Sequence, residues 1–373
     1  MSDASPVFSS NAVRLSWRDW RITLGLVCVA MLTLPPLCRK WEKVEPPPSF
    51  RMPYGLMEDY WLYSRWAEHA ARRYPVVVIG DSFIWGEYAD ASDTLPQCLN
   101  RAVGKDCFTN LGLNGLHPAA AEGLVRYYGR RIADKGALVH FNPLWVQSPQ
   151  LDRGGDADSE KFLLQHPRLI PQFSVRPQAY RAELTERLGI ALSRELPFLG
   201  LRNHLQIAYF DKLSPMEWAM KNPYRNPFAS RTALAPSIRK SARAHSEPQP
   251  WTEKGIPPQD YPWLKLEDSF QWASFEREIE VLRSRKNTVF VLLGPFNPHL
   301  LTPASLGRYN ALRAQMERAL AAANVPFYLV PDLPSALYTD ASHVARDGYA
   351  EIARLVLQDE SFRAWTSAVT SRK

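Results

Sequence analysis

The sequence predicts an α/β protein with a central parallel sheet, preceded by one N-terminal transmembrane helix. Three observations carry this. Short runs of β-branched and aliphatic residues, such as "VVVI" (Val76–Ile79) and "TVFVLL" (Thr288–Leu293), alternate with longer stretches of helical periodicity from Leu56 onward. Strands alternating with helices at this spacing form βαβ units, whose strands run parallel. The chain's 373 residues suffice for a substantial core, and Ile22–Leu37 carries no charge.

Residues 1–21 read as an N-terminal tail and 22–38 as a membrane anchor. Trp17 and Trp20 precede the apolar run; Arg14, Arg18 and Arg21 flank one side and Arg39, Lys40 and Lys43 the other. A bilayer span wants about 20 apolar residues, so the run is slightly short, and Pro35–Pro36 is expected to disturb its last turn. "LPPLCRKW" lacks the small-x-small pattern of a signal cleavage site. An uncleaved single-pass anchor is expected, and positive charge on both flanks leaves its orientation open. Residues 39–55, with "VEPPPSFRMP", read as a stiff spacer holding a domain off the membrane.

The domain proper is expected over 56–373. "LMEDYWLYSRWAEHAARRY" predicts a helix, "PVVVIG" a strand and "DTLPQCLNRAV" a helix. "DCFTNLGL" predicts a second strand, "PAAAEGLVRYYGRRIAD" a helix and "GALVHFN" a third strand. The regularity lapses over about 149–263, which is rich in proline and isolated aromatics and reads as a long insertion of helices and loops. It resumes with the helix "SFQWASFEREIEVLRSR", the strand "NTVFVLLG", the helix "LGRYNALRAQMERALAAA", the strand "VPFYLV" and a closing helix in "SHVARDGYAEIARLVLQDESF".

Lys and Arg exceed Asp and Glu by 7 (45 against 38), but the positives are scattered. A nucleic-acid protein would concentrate them in a stripe within a recognised module, so no nucleic-acid partner is expected; an anionic membrane or acidic polymer suits the charge better. Four cysteines without C-x-x-C pairing exclude a disulfide scaffold and a zinc site, and no metal or cofactor is expected. Cys98 and Cys107 flank "LNRAVGKD", a spacing that allows either a disulfide or two buried thiols.

Parallel strands bring their carboxyl ends to one edge, where open α/β sheets place their sites. Ser82 follows the first strand, Gly112 and Gly115 in "NLGLNG" the second, and Asn142 in "VHFNPLW" the third; Asp340 and His343 in "YTDASHVARDGY" precede the last helix. These are the parts acyl transfer needs. Ser82 is the candidate nucleophile, His343 the candidate base and Asp340 its orienter. The N–H groups of Ser82 and Gly115 and the Asn142 amide are candidate oxyanion donors. Each signal taken alone also reads as turn or cap chemistry, and it is their order and placement at strand ends that point to a site.

"VVVIGDSFIWGEYADASDTLPQCL", "NLGLNG" and "YTDASHVARDGYAEIARLV" resemble the three signature blocks of the SGNH (GDSL-type) hydrolases. The resemblance covers Pro75–Asn142 and roughly Asn287–Leu357, and departs at the third block, where "HFNPLW" stands for the family's Gly-x-Asn-Asp. It implies a three-layer α/β/α domain with Ser82, Asp340 and His343 catalytic and Gly115 and Asn142 in the oxyanion hole. An anchored SGNH-like domain is similar to cell-envelope members that work in polysaccharide O-acetylation and D-alanylation. That implies a serine esterase or O-acyltransferase on acyl (acetyl) esters of an envelope polysaccharide, partnered by a membrane-bound O-acyltransferase, on the extracytoplasmic side of the cytoplasmic (inner) membrane. There Cys98 and Cys107 would be free to oxidise. Two further readings are a non-catalytic accessory subunit of such an acyltransferase or of a polysaccharide export system, and a lipase-like enzyme on phospholipid.

Overall fold

The computed structural model describes residues 15–153, 164–228 and 249–371. Five strands, β1 (Val76–Ile79), β2 (Phe108–Asn110), β3 (Gly136–Phe141), β4 (Thr288–Leu293) and β5 (Phe327–Leu329), form one sheet in the order β2-β1-β3-β4-β5, with every neighbouring pair parallel. In this doubly wound order the chain reverses direction across the sheet between β1 and β3, opening a crevice at their carboxyl ends. β1 and β4 are nearly continuous apolar runs because both faces of the sheet are covered. Val77, Ile79, Val289 and Val291 face one core, built from α2 (Tyr60–Arg73), α5 (Pro118–Gly123), α10 (Phe270–Ser284) and α11 (Pro303–Ala322). Val76, Val78, Phe290 and Leu292 face the other, built from α4 (Leu95–Val103), α12 (Arg346–Gln358) and α13 (Glu360–Thr370).

The expected elements form, and two of the domain's helices differ in extent. The helix over 118–134 ends at Gly123 and continues as one wider turn, Leu124–Tyr128. The closing helix is two, because Asp359 leaves α12 and caps α13, its carboxylate accepting the Phe362 N–H at 2.8 Å. Cys98 and Cys107 are not joined: both are buried thiols, and the Cys98 sulfur donates to the Asp93 carbonyl at 3.4 Å and receives Arg101 Nη2 at 3.3 Å. Burial pushes both thiols up, which disfavours the thiolate that would attack a disulfide.

The N-terminal helix α1 (Trp17–Trp41) is longer than the expected 22–38 and passes through Pro35–Pro36. It is long and apolar enough to cross a membrane. Its ladder continues past the prolines to the Glu42 N–H, which donates to the Cys38 carbonyl at 2.9 Å. The following segment is not a spacer that holds the domain away. Phe50 and Met52 are buried in the main core, Phe50 edge-on to Trp66 at 4.9 Å, and Trp85 Nε1 donates to the Met52 carbonyl at 2.7 Å. The apolar side chains between the prolines outweigh the extended preference of the prolines themselves.

Within the insertion lie α6 (Pro149–Asp152), α7 (Leu184–Glu195), α8 (Pro197–Tyr209) and α9 (Pro215–Lys221). His204 of α8 fastens this insertion to the anchor. Its Nδ1 lies 2.6 Å from Asp59 Oδ2 at the start of α2, and its Nε2 lies 2.9 Å from Glu42 Oε1 at the end of α1. Arg65 Nη1 and the Tyr209 hydroxyl donate to the same Glu42 carboxylate at 2.6 and 2.5 Å. Burial alone would strip the proton from His204, but Asp59 and Glu42 reverse this and raise it to about 10 from 6.5.

Removing the cation from this cluster leaves two buried carboxylates without their shared partner, so His204→Gln should destabilise the protein by about 3–5 kcal/mol in chemical denaturation. Because the folded-state pKa is the raised one, the wild-type contribution is complete below pH 6.5 and fades as pH rises through about 10. The variant should therefore lose the alkaline part of the stability profile.

Candidate active site

β1 ends at Gly80, and the chain turns at once into a single helical turn, α3 (Ser82–Trp85). Gly80 is required by close approach: a Cβ there would stand 2.5 Å from Ile84 Cγ1 and 2.8 Å from His140 Cβ. Asp81 caps the turn, its Oδ1 accepting the Phe83 N–H at 3.0 Å. The strand thus presents Ser82 at the crevice on a turn with little room to move.

The loop before α12 supplies the other two groups. Ser82 Oγ lies 2.7 Å from His343 Nε2, and His343 Nδ1 lies 2.9 Å from both carboxylate oxygens of Asp340. Nδ1 faces a carboxylate, so it carries the proton, and Nε2 is left to accept the Ser82 hydroxyl. Asp340 Oδ1 also accepts the Ser342 and His343 N–H groups at 2.9 Å each, and buried Asn297 holds the loop by donating to the Asp340 carbonyl at 3.2 Å. Burial would raise the Asp340 carboxyl, but the bonds and charge from His343 outweigh it and bring it down to about 2. Burial would lower His343; the Asp340 hydrogen bond and charge outweigh that too, and His343 sits above its ordinary 6.5.

Asn142 joins this site through Asp81, and Gly115 lies on the loop after β2. Gly115 adopts φ +72°, the left-handed region that favours glycine, and a Cβ there would displace the Gln165 side chain. Asn142 donates to Asp81 Oδ2 at 3.1 Å and accepts the Leu144 N–H at 3.0 Å. Its second amide hydrogen is the one left over for a ligand. Gly112 packs instead against the backbone of Ile84 and Trp85.

Five residues not singled out from sequence complete the surroundings. Asp81 is buried and accepts from Trp145 Nε1 at 3.1 Å as well as from Asn142 and Phe83. His140 lies beside it, Nδ1 3.2 Å from Asp81 Oδ1 and Nε2 2.9 Å from the Gly294 carbonyl. Both neighbours are acceptors, one against each ring nitrogen. Burial would raise the Asp81 carboxyl, but the His140 charge and hydrogen bond keep it low. The signal for His140 was its place two residues before Asn142, which puts both on one face of a strand. Lys254, at the end of the insertion, stands over the Tyr88 ring at 4.8 Å, and Tyr88 meets the His343 ring edge-on at 5.6 Å.

A cleft of about 490 Å³ opens beside the Gly115 loop, lined by the polar Glu58, Asn114, Gln165, His166 and Lys212 together with Tyr54 and the apolar Met57, Leu164 and Pro167. Asn114 Nδ2 donates to Glu87 Oε2 at 2.6 Å, and the Tyr54 ring lies 6.4 Å from that of Trp85 in the Ser82 turn. The candidate metal and cofactor inventory is short: among the described residues no group of three His, Cys, Asp or Glu side chains is arranged to hold a metal ion. In comparisons with known proteins, no family model matches the chain and no curated relative is found at a significant level.

The arrangement can deprotonate a hydroxyl at Ser82 and hold the resulting imidazolium. The rate of Ser82 labelling by a fluorophosphonate should rise with pH as one ionisation with a midpoint above 6.5, because only neutral His343 accepts the proton. Asp340→Asn removes the main raising partner and should move that midpoint down; an unmoved midpoint would separate Asp340 from His343. His140→Phe should slow labelling by about 100-fold by loosening the Asp81 cap, with His343 still titrating as a single ionisation.

Proposed function

We propose that this protein is a membrane-anchored serine esterase or O-acyltransferase of the SGNH type that carries an acyl group on Ser82. The observation that supports it most is the continuous Ser82–His343–Asp340 relay at the carboxyl edge of the sheet. His343 Nε2 takes the hydroxyl proton as Ser82 Oγ bonds to the ester carbonyl carbon. The carbonyl oxygen becomes an oxyanion, for which the Ser82 and Gly115 N–H groups and the spare Asn142 hydrogen are the donors, each worth about 2.7–4 kcal/mol of transition-state stabilisation. The tetrahedral intermediate collapses, the ester C–O bond breaks, and His343 returns the proton to the departing alcohol. Water or an acceptor hydroxyl then repeats the sequence in reverse roles and frees Ser82.

The cleft favours a glycan over a phospholipid as the molecule that exchanges the acyl group. Its walls set the Gln165 amide, the Glu58 carboxylate and the Lys212 ammonium, suited to sugar hydroxyls, beside apolar Met57, Leu164 and Pro167, with the half-exposed Tyr54 ring as a stacking surface. Gln165, His166 and Lys212 come from the insertion, so this segment shapes specificity while the sheet supplies chemistry. The domain would act on the extracytoplasmic face, on acyl (acetyl) esters of an envelope polysaccharide, alongside a membrane-bound O-acyltransferase.

Ser82→Ala should abolish turnover of p-nitrophenyl acetate and incorporation of the acyl group seen by mass spectrometry of the intact protein. His343→Ala should cost nearly as much, and the double variant little more, since members of one catalytic unit are not additive. Multiplicative losses, or a Ser82→Ala enzyme close to wild-type rate, would end this assignment.

A further inference from the structure

The anchor helix does not stand alone at the membrane. α8 packs against the last turns of α1, and between them lies an apolar cavity of about 330 Å³. Its walls are Leu34 and Cys38 of α1 with Phe198, Leu201, Leu205 and Phe210 of the insertion. Leu34 lies seven residues before the helix end at Trp41, hence about 10 Å down the helix axis. With α1 embedded and Arg39, Lys40 and Trp41 at the interface, this cavity opens at the depth of the acyl chains.

The neighbouring helices carry the same signature. Leu184, Leu188, Leu192 and Leu196 recur every four residues along α7 and its end, all exposed, and Met216 and Met220 of α9 are 73% and 66% exposed. An aliphatic stripe of this kind beside a membrane helix lies in the headgroup–acyl boundary. At the cavity rim stands Arg202, exposed and with no hydrogen-bond or ion-pair partner among the described residues. A guanidinium in that position suits a phosphate.

We propose that the cavity between α1 and α8 binds an acyl chain of an anionic membrane phospholipid, whose phosphate meets Arg202, and that the insertion is therefore a second membrane attachment. The depth of the cavity beside α1 and the guanidinium at its rim decide for a lipid over a partner's helix: an acyl chain lies against the apolar walls while its phosphate meets Arg202. None of the residues lining the cavity belongs to the Ser82 site, so this lipid is a bound component and not the substrate.

The test is photo-labelling of the full chain in phosphatidylcholine nanodiscs containing phosphatidylglycerol with a diazirine on one acyl chain, followed by peptide mapping. Adducts are expected on Phe198–Phe210 as well as on the outward face of α1 at Leu24 and Leu26. Leu205→Trp, which fills the cavity, should lower the α8 adduct at least about fivefold and leave the α1 adduct unchanged; Leu205→Ala, which enlarges it, should retain labelling. Arg202→Gln should remove the preference for phosphatidylglycerol over phosphatidylcholine. Adducts confined to α1, or an α8 adduct indifferent to Leu205→Trp, would overturn the proposal, as would crosslinks from α8 to a second protein in native membranes that exclude the lipid. Fluorophosphonate labelling of Ser82 on the same samples reads the catalytic assignment separately.

Discussion

The carboxylate of Asp81 must be satisfied where no water reaches it, and much of the site is arranged around that requirement. An unpaired buried carboxylate would cost several kcal/mol or take up a proton. Here it receives the Phe83 N–H, which fixes the Ser82 turn; the Asn142 amide and Trp145 indole, which fix the loop after β3; and His140, which reaches across to the Gly294 carbonyl after β4. One charge therefore ties together the ends of three neighbouring strands. The nucleophile inherits its position from this hub, since Ser82 follows Asp81 directly and the intervening backbone has no slack at Gly80.

The sheet and the relay were legible in the sequence because both rest on local signals. Buried parallel strands need nearly continuous apolar runs, and "VVVI" and "TVFVLL" supply them. The Asp340–His343 pair lies within one short loop, and Asp340 bonds the backbone of its own loop, so three residues of spacing already imply the contact. What stayed hidden depends on partners far along the chain. Nothing local to His204 announces Asp59 and Glu42, 145 and 162 residues away. The proline-rich segment misled for a related reason: proline content reports the preference of an isolated chain, while Phe50 and Met52 are held by a core that composition cannot display. Gly115 was singled out for a chemical reason, and the structure adds a steric one in Gln165, a residue of the insertion.

The insertion thus joins the two ends of the molecule. It closes the cleft beside Gly115 through Gln165, His166 and Lys212, flanks the His343 side through Lys254, and grips the anchor through His204. A domain tethered only by a spacer would sample every orientation above a membrane. A buried ion cluster shared by α1, α2 and α8 instead makes the angle between anchor and domain part of the folded state. With α1 in a bilayer, as proposed, the crevice would keep one height and one heading relative to it.

The histidines show how partner count separates chemistry from architecture. His204 has a carboxylate on each nitrogen and is held charged to about pH 10, so it cannot exchange a proton near neutrality. His117, buried between Gln271 and the Gln165 carbonyl with no carboxylate, is driven down to about 3 and stays neutral. His140 has an acceptor against each ring nitrogen, the Asp81 carboxylate and the Gly294 carbonyl, and meets no hydroxyl. His343 alone among the described histidines combines one carboxylate on Nδ1 with a hydroxyl on Nε2. One hydrogen-bonded carboxylate, helped by the charges of Asp81 and Glu87, offsets burial, and the hydroxyl gives the titration of this ring something to act on. A second carboxylate in place of Ser82 would turn the same loop into another clamp. The candidate base is thus the histidine whose surroundings balance desolvation against one bonded carboxylate, in the one place where the sheet also delivers a nucleophile.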